Sequence, residues 1–211
     1  MKILNLYAGI GGNRKLWGDE HEITAVEYRQ DIAEVYKDFF PNDKMIIADA
    51  HEYLLHNYKN YDFIWSSPPC PSHSDIRRCG VHRGQNKAIY PDMTLYQEII
   101  LLKHFANKDT QYIVENVIPY YEPLIKPDTI LARHYFWNNF KVPGVKIGNV
   151  KHQSISGGHT VYGINIKNTN IEDKRKALRN LVNPEIGLHI LNCAMGIYEY
   201  KKSQFQNELF T

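Results

Sequence analysis

Five short apolar runs, each parted from the next by a segment of helical spacing, constrain the fold of this 211-residue chain more than any other feature. They are Lys2 to Tyr7, Glu22 to Val26, Met45 to Ala48, Asp62 to Trp65 and Gln111 to Val114. Each has the length and composition of a short buried strand. Between them, Ile32, Val35, Tyr36, Phe39 and Phe40 recur at helical spacing, Tyr53, Leu54 and Leu55 mark a second helix, and Leu95, Ile99, Leu102 and Ala106 a third. Ala8 to Gly12 is a glycine turn leading into a short helix through Leu16 and Trp17. Strands separated by helices pair in parallel, so the expectation is an α/β fold with a doubly wound, mostly parallel sheet.

Beyond Pro119 the pattern loosens. Ile130 to Phe140, carrying Arg133 to Trp137, is a candidate strand, Ser154 to Asn170 reads as loop, and Ile171 to Leu181 reads as a charged helix. Asn183-Pro184 suits the N-cap and first turn of a further helix through Leu188, Ile190, Leu191 and Met195. With no repeat and no break in composition, residues 1–211 read as one domain. No apolar run would span a membrane, and Met1-Lys2 leads into the first strand with no signal-peptide pattern, so a cytoplasmic protein is expected. Cys70, Cys79 and Cys193 are an odd, sparse set that reads as free thiols in a reducing compartment.

The fourth strand runs into Ser66-Ser67-Pro68-Pro69-Cys70-Pro71-Ser72-His73-Ser74. Proline fixes φ and pushes its predecessor into extended backbone, so Cys70 is presented at the strand's carboxyl end rather than packed. Ligands of open α/β sheets bind at that end, which makes Cys70 a candidate nucleophile rather than the small buried hydrophobe a free cysteine more often is. The glycine turn would let backbone approach a ligand at a helix N-terminus. Glu27, closing the second strand, would accept from ribose hydroxyls, and Asp49, closing the third, from an adenine amino group. Singly, each acid reads as a helix cap or a solvated turn; together with the turn they form one nucleoside-binding edge. Arg77, Arg78, Arg83 and Lys87 face only Asp75 between Pro71 and Pro91, and Arg133, Lys141, Lys146 and Lys151 fall in a stretch free of acids. Both read either as solvated faces or as a nucleic-acid surface.

Three motifs occur in order over the first part of the chain: Asn5-Leu6-Tyr7-Ala8-Gly9-Ile10-Gly11-Gly12, Pro68-Pro69-Cys70 with Ser74, and Glu115-Asn116-Val117. The set resembles the DNA (cytosine-5)-methyltransferases, of the short, phage-type kind. The resemblance implies S-adenosylmethionine as cofactor, held by Tyr7, Ala8, Gly9, Gly11 and Gly12, by Glu27, by Asp49 and Ala50, and by Pro69; no metal is expected. It implies that Cys70 adds to cytosine carbon 6, turning the ring into an enamine whose carbon 5 can take a methyl group. Glu115 would hold ring nitrogen 3, and Arg133, which resembles the family's arginine motif, the 2-oxo group. Arg77, Arg78 or His73 would help ionise Cys70. Residues 1–120 would be the cofactor-binding and catalytic half, and 121–211 a reduced DNA-binding and C-terminal half. DNA would be held by the basic Pro71 to Pro91 loop, closing over a flipped-out base, and by Arg133 to Lys151.

The chain departs from the family pattern at Pro71, usually glutamine, at Asn5, usually aspartate, and around Arg133. Only Asn138 to Lys176 separates the arginine motif from the late helices, where full-length members hold a large target-recognition domain. Specificity is therefore expected to be low, or supplied by a separate subunit. Gly148-Asn149-Val150 imitates the family's final motif but comes too early. Other readings stay open. Cys70-x-x-His73 with Cys79-x-x-His82 has the ligand types of a structural zinc site, which would make the segment a metal-stapled DNA-binding module. The substrate could instead be a free cytosine nucleotide, or the protein could work only with a partner chain.

Overall fold

The computed structural model describes residues 1–145 and 160–198. Strands β1 (Lys2–Leu6), β2 (Glu22–Glu27), β3 (Lys44–Ile47), β4 (Phe63–Ser66) and β5 (Gln111–Val117) alternate with α1 (Gln30–Phe39), α2 (Ala50–Asn57), α3 (Asp75–His82) and α4 (Thr94–Phe105). A 3-10 turn, Asn13–Leu16, joins β1 to β2. Then come β6 (Thr129–Leu131) and β7 (His134–Asn138), a small hairpin of β8 (Thr160–Val161) and β9 (Ile164–Asn165), and helices α5 (Lys174–Arg179) and α6 (Pro184–Ala194). The main sheet has the order β3-β2-β1-β4-β5-β7-β6. β1 to β5 pair in parallel, and β7 runs antiparallel to both its neighbours.

The strands read as unbroken apolar runs because both sheet faces are covered, and successive side chains point to opposite faces. Leu4, Leu6, Ile64, Tyr112 and Val114 pack with Leu54 of α2 and with Leu95, Ile99 and Leu102 of α4. On the other face Ile3, Phe63, Trp65, Ile113 and Phe136 meet Trp17 and Ile186, Ile190 and Leu191 of α6. α6 starts as its sequence predicts: the Asn183 side chain accepts from the Glu185 N–H at 2.9 Å and Pro184 occupies the first turn. Gly187 lies so close to the Asn13 backbone that a Cβ there would collide with it. The last helix is thereby seated on the turn that follows the first strand.

Several expectations are corrected. Phe39 and Leu55 are exposed, since the apolar stripes of their helices are narrower than read. β5 runs on through Glu115 and Asn116, because both polar side chains find partners there. Pro71 to Pro91 is not all loop, as α3 begins after Ser74 with Asp75 in its first turn. Arg133 lies in the turn between β6 and β7, beside Ala132 with φ 51°, rather than in a strand. Thr160 to Asn165 forms a hairpin rather than loop, its turn residues Tyr162 and Gly163 taking the positive φ that a two-residue connection requires. The charged helix shrinks to α5. Gly148-Asn149-Val150, Lys146 and Lys151 lie outside the described residues. No described helix is long and apolar enough to cross a membrane.

Candidate active site

Parallel pairing in the order β2-β1-β4-β5 sets four carboxyl ends side by side, and the chain breaks into functional turns at each. After β1 the backbone enters the left-handed region at Tyr7 (φ 55°), Gly9 (φ 54°) and Gly11 (φ 81°), a strained conformation for the tyrosine. A Cβ on Gly11 would run into the Phe40 ring, whereas one on Gly9 would meet nothing within 4 Å. Gly9 therefore borders open space. Glu27, at the end of β2, closes this turn: its Oε2 accepts from the Gly9 N–H at 3.0 Å, and its Oε1 from the Arg29 N–H at 2.9 Å. Ala8 donates to the Val26 carbonyl at 3.0 Å. Asp49 is exposed and caps α2, its Oδ1 accepting from the Glu52 N–H at 3.0 Å, while Ala50 is buried behind it. Asn5, at the motif's departure from aspartate, is wholly buried and accepts from the Asn13 side chain at 2.7 Å, so a neutral amide pair satisfies the position.

Cys70 is half-buried beyond β4. Its carbonyl accepts from the His73 and Ser74 N–H groups at 3.0 and 3.1 Å, and the Asn116 side chain donates to the Pro68 carbonyl at 3.0 Å. The next strand thus fastens the diproline. Glu115, 7% exposed on the same strand, lies with its Oε1 3.4 Å from His134 Nε2. Burial, and then the charge of Glu115, push the Cys70 thiol up from its ordinary value; Lys176 of α5 pulls weakly the other way. Arg77, Arg78 and His73 do not act on it as expected. His73 is turned inward, hydrogen-bonded through Nδ1 to the Tyr121 hydroxyl, and its burial disfavours the charged ring. The structure thus brings Cys70 and Glu115 together and places the exposed Arg133 at the adjoining turn, where its carbonyl accepts from the Ile118 N–H at 3.4 Å and its charge bears on Tyr162. Cys70, His73, Cys79 and His82 do not gather into a zinc site: no three metal-ligating side chains cluster among the described residues.

A residue the sequence reading missed sits beneath these turns. Glu98 of α4 is fully buried; its Oε1 accepts from the Tyr7 hydroxyl at 2.6 Å and lies 3.1 Å from His51 Nδ1, and its Oε2 accepts from the Ser66 hydroxyl. One carboxylate therefore ties the start of the glycine turn, the first turn of α2 and the end of β4. The hydrogen bond that the His51 ring donates to Glu98 raises the pKa of His51, and burial followed by the charge of Glu98 raises that of Tyr7. Glu98 shares the apolar face of Leu95, Ile99 and Leu102, and an acid on such a face needs partners. That was the available signal.

A family model described as C-5 cytosine-specific DNA methylase matches residues 1–119. The chain belongs to this family, and its seven-stranded sheet with one antiparallel strand is of the S-adenosylmethionine-dependent methyltransferase type. Among solved structures, the chain is similar to a methyltransferase of that kind from Agrobacterium tumefaciens, at 14% identity over 57% of this chain and 40% of that one, with a TM-score of 0.42. It is similar to a DNMT2 mutant from Spodoptera frugiperda at 26% identity over 55% of this chain and 35% of that one, TM-score 0.38. It also resembles NSun6 from Pyrococcus horikoshii, at 14% identity over 57% and 35%, TM-score 0.43. The chain thus aligns with less than half the length of each. No curated protein matches it.

Proposed function

We propose that the protein transfers a methyl group to carbon 5 of cytosine in DNA through a covalent adduct with Cys70. The observation that carries this reading is the pairing of a half-buried thiol with a buried carboxyl, Cys70 and Glu115, on neighbouring strand ends beside the glycine turn that Glu27 closes. The open space beside Gly9 and the carboxylates of Glu27 and Asp49 suit a nucleoside group with a ribose and an adenine. Tyr7, Ala8, Gly9, Gly11 and Gly12 would hold S-adenosylmethionine along the turn, with Glu27 at its ribose, Asp49 and Ala50 at its base, and Pro69 toward the reacting end. When bound it supplies an electrophilic methyl group.

The chain's own residues do the rest. Cys70 gives up its thiol proton to solvent and forms a carbon–sulfur bond to carbon 6, breaking the 5,6 double bond. Glu115, carrying a proton, hydrogen-bonds ring nitrogen 3 and passes the proton to it as charge builds there, while Arg133 binds the 2-oxo group. Carbon 5 then takes the methyl group. Loss of its proton to a base re-forms the double bond, breaks the bond to sulfur and returns the electron pair to Cys70 and the nitrogen 3 proton to Glu115. Ionised Glu115 opposes thiolate formation, so a proton on Glu115 both serves the ring and releases the nucleophile. Arg77, Arg78, Arg83 and Lys87 would steer a polyanion toward the site. The test is nucleoside mass spectrometry of DNA incubated with the protein and S-adenosylmethionine. 5-Methyldeoxycytidine is expected; methylation of dCMP alone would overturn the DNA assignment.

A further inference from the structure

We infer that buried Glu98 is the counter-charge for the cofactor's sulfonium and shares this task with His51, so that S-adenosylmethionine, but not its demethylated product, displaces a proton from the His51 ring. The inference rests on the proposed placing of the cofactor along the glycine turn, and not on the covalent step at Cys70. Glu98 is 0% exposed, on the apolar face of α4. It is held by two neutral hydroxyls, of Tyr7 and Ser66, and by the His51 ring, its one ion-pair partner among the described residues. A carboxylate taken out of water needs positive charge nearby. In the cofactor-free protein, protonated His51 supplies it.

Position selects the second source of charge. Tyr7 opens the glycine turn after β1, Ser66 ends β4, and His51 follows Asp49 and Ala50 at the start of α2. A cofactor reaching from Glu27 and Asp49 along that turn to Pro69 crosses the ends of both strands, where one carboxylate holds Tyr7 and Ser66 together. S-adenosylmethionine carries a fixed positive charge on sulfur. S-adenosylhomocysteine has the same nucleoside and amino-acid parts and a neutral thioether, so only the first competes with His51 for Glu98.

His51 can respond because of how it is held. Its Nδ1 lies 3.1 Å from Glu98 Oε1 and keeps its proton there, while the side chain is 20% exposed, so the Nε2 proton can pass to solvent and leave its electron pair on the ring. The charges that favour the protonated ring are Glu98 of α4, first through its hydrogen bond, and then Asp49 and Glu52 of its own helix. Tyr7, from the end of β1, stays a neutral phenol, pushed up by burial and by Glu98, Asp49 and Asp92; Ser66, from β4, does not titrate. A cation added at the turn offsets the pull of Glu98 and makes the ring easier to deprotonate. Linkage is reciprocal, so affinity for the sulfonium rises as His51 loses its proton, and affinity for the thioether does not. Once the methyl group has left, His51 regains its proton and the product has lost its counter-charge.

The test follows the His51 ring resonance by NMR through a pH titration, with S-adenosylmethionine and with S-adenosylhomocysteine bound. The midpoint is expected to lie about one pH unit lower with the sulfonium than with the thioether. By calorimetry, the preference for S-adenosylmethionine should correspondingly rise about tenfold between roughly pH 5.5 and 7.5. In His51→Gln, which leaves Glu98 its charge, the preference should be high at every pH; in Glu98→Gln it should be low at every pH. The thermal transition of each variant shows that it is folded, and His51→Gln keeps the test decisive if Glu98→Gln does not fold. Equal His51 midpoints in the two complexes, or a pH-dependent preference that survives His51→Gln, overturns the coupling. A protein that binds neither ligand loses the cofactor placing as well, whereas one that binds both without a difference at His51 loses the coupling alone.

Discussion

The residues up to Val117 and those from Thr129 onward are built on different principles. The first group is a parallel sheet in which β1, β2, β4 and β5 end in groups able to do chemistry: the glycine turn, Glu27, Cys70 and Glu115. The second offers an antiparallel pair, a short hairpin and two helices, and contributes chiefly by covering. α6 buries the sheet face that holds Ile3, Phe63, Trp65 and Ile113. The β8–β9 turn is held by Lys15, which donates from Nζ to the Tyr162 carbonyl just beyond the glycine turn. β7 places His134 against Glu115. The family match ends at residue 119, where the parallel strands end, but the core does not. The boundary is one of chemistry, not of packing.

The sharpest way to probe the chemical side is Glu115→Gln. Methyl transfer is expected to fall by about 10²–10⁴-fold with loss of the acid. Alkylation of Cys70 by iodoacetamide at fixed pH should instead speed up, because the charge that raises the thiol is gone. Unchanged or slower alkylation in Glu115→Gln would contradict the pairing of the two groups.

On the packing side, Ile190→Ala empties a fully buried position between α6 and the sheet and should destabilise by about 2–5 kcal/mol. Urea denaturation followed by tryptophan fluorescence should show one cooperative transition moved as a whole, since Trp17 and Trp65 lie in the same cluster. An unmoved transition for the parallel sheet would mean that the two regions fold separately.

Glu98→Gln tests the tie beneath the turns. The hydrogen bond to Glu98 favours the charged ring of His51, so its folded pKa lies above its unfolded value. The stabilisation is then fully present below about pH 6.5 and is lost as pH rises through the folded pKa. In Glu98→Gln the His51 resonance should titrate at lower pH, and that pH-dependent part of stability should vanish; an unshifted titration would refute the tie. The smallest effect is expected at Asp49→Ala. Loss of the cap alone costs about 0.5–2 kcal/mol of stability. The proposed cofactor role requires weaker S-adenosylmethionine binding as well, and calorimetry separates the two.

What the sequence disclosed follows from the same division. Buried parallel strands must be apolar on both faces, so β1 to β5 stand out, and strand-end positions of Cys70, Glu27 and Glu115 follow from them. The Asn183-Pro184 start of α6 was legible because capping is local. Glu98 was not, since its partners Tyr7, His51 and Ser66 lie 91, 47 and 32 residues away and meet only in the fold. The same holds for Lys176 of α5, far along the chain, whose charge bears weakly on Cys70. Arg133 was read as a strand residue because its aromatic neighbours match a strand, yet the positive φ of Ala132 turns the chain there. His134, one residue on, is the side chain that reaches Glu115.

The covalent step is the centre of the account, and a trapping measurement addresses it most directly. A cytosine with fluorine at carbon 5 has no proton there to lose after methylation, so the bond to sulfur cannot break by elimination. Intact mass spectrometry of the protein incubated with S-adenosylmethionine and such an oligonucleotide should show one species equal to protein plus DNA plus a methyl group. Digestion should place the link on the peptide containing Cys70, and Cys70→Ser should form none. The same adduct from Cys70→Ser, attachment at another residue, or no adduct from a protein that methylates ordinary DNA would contradict the account.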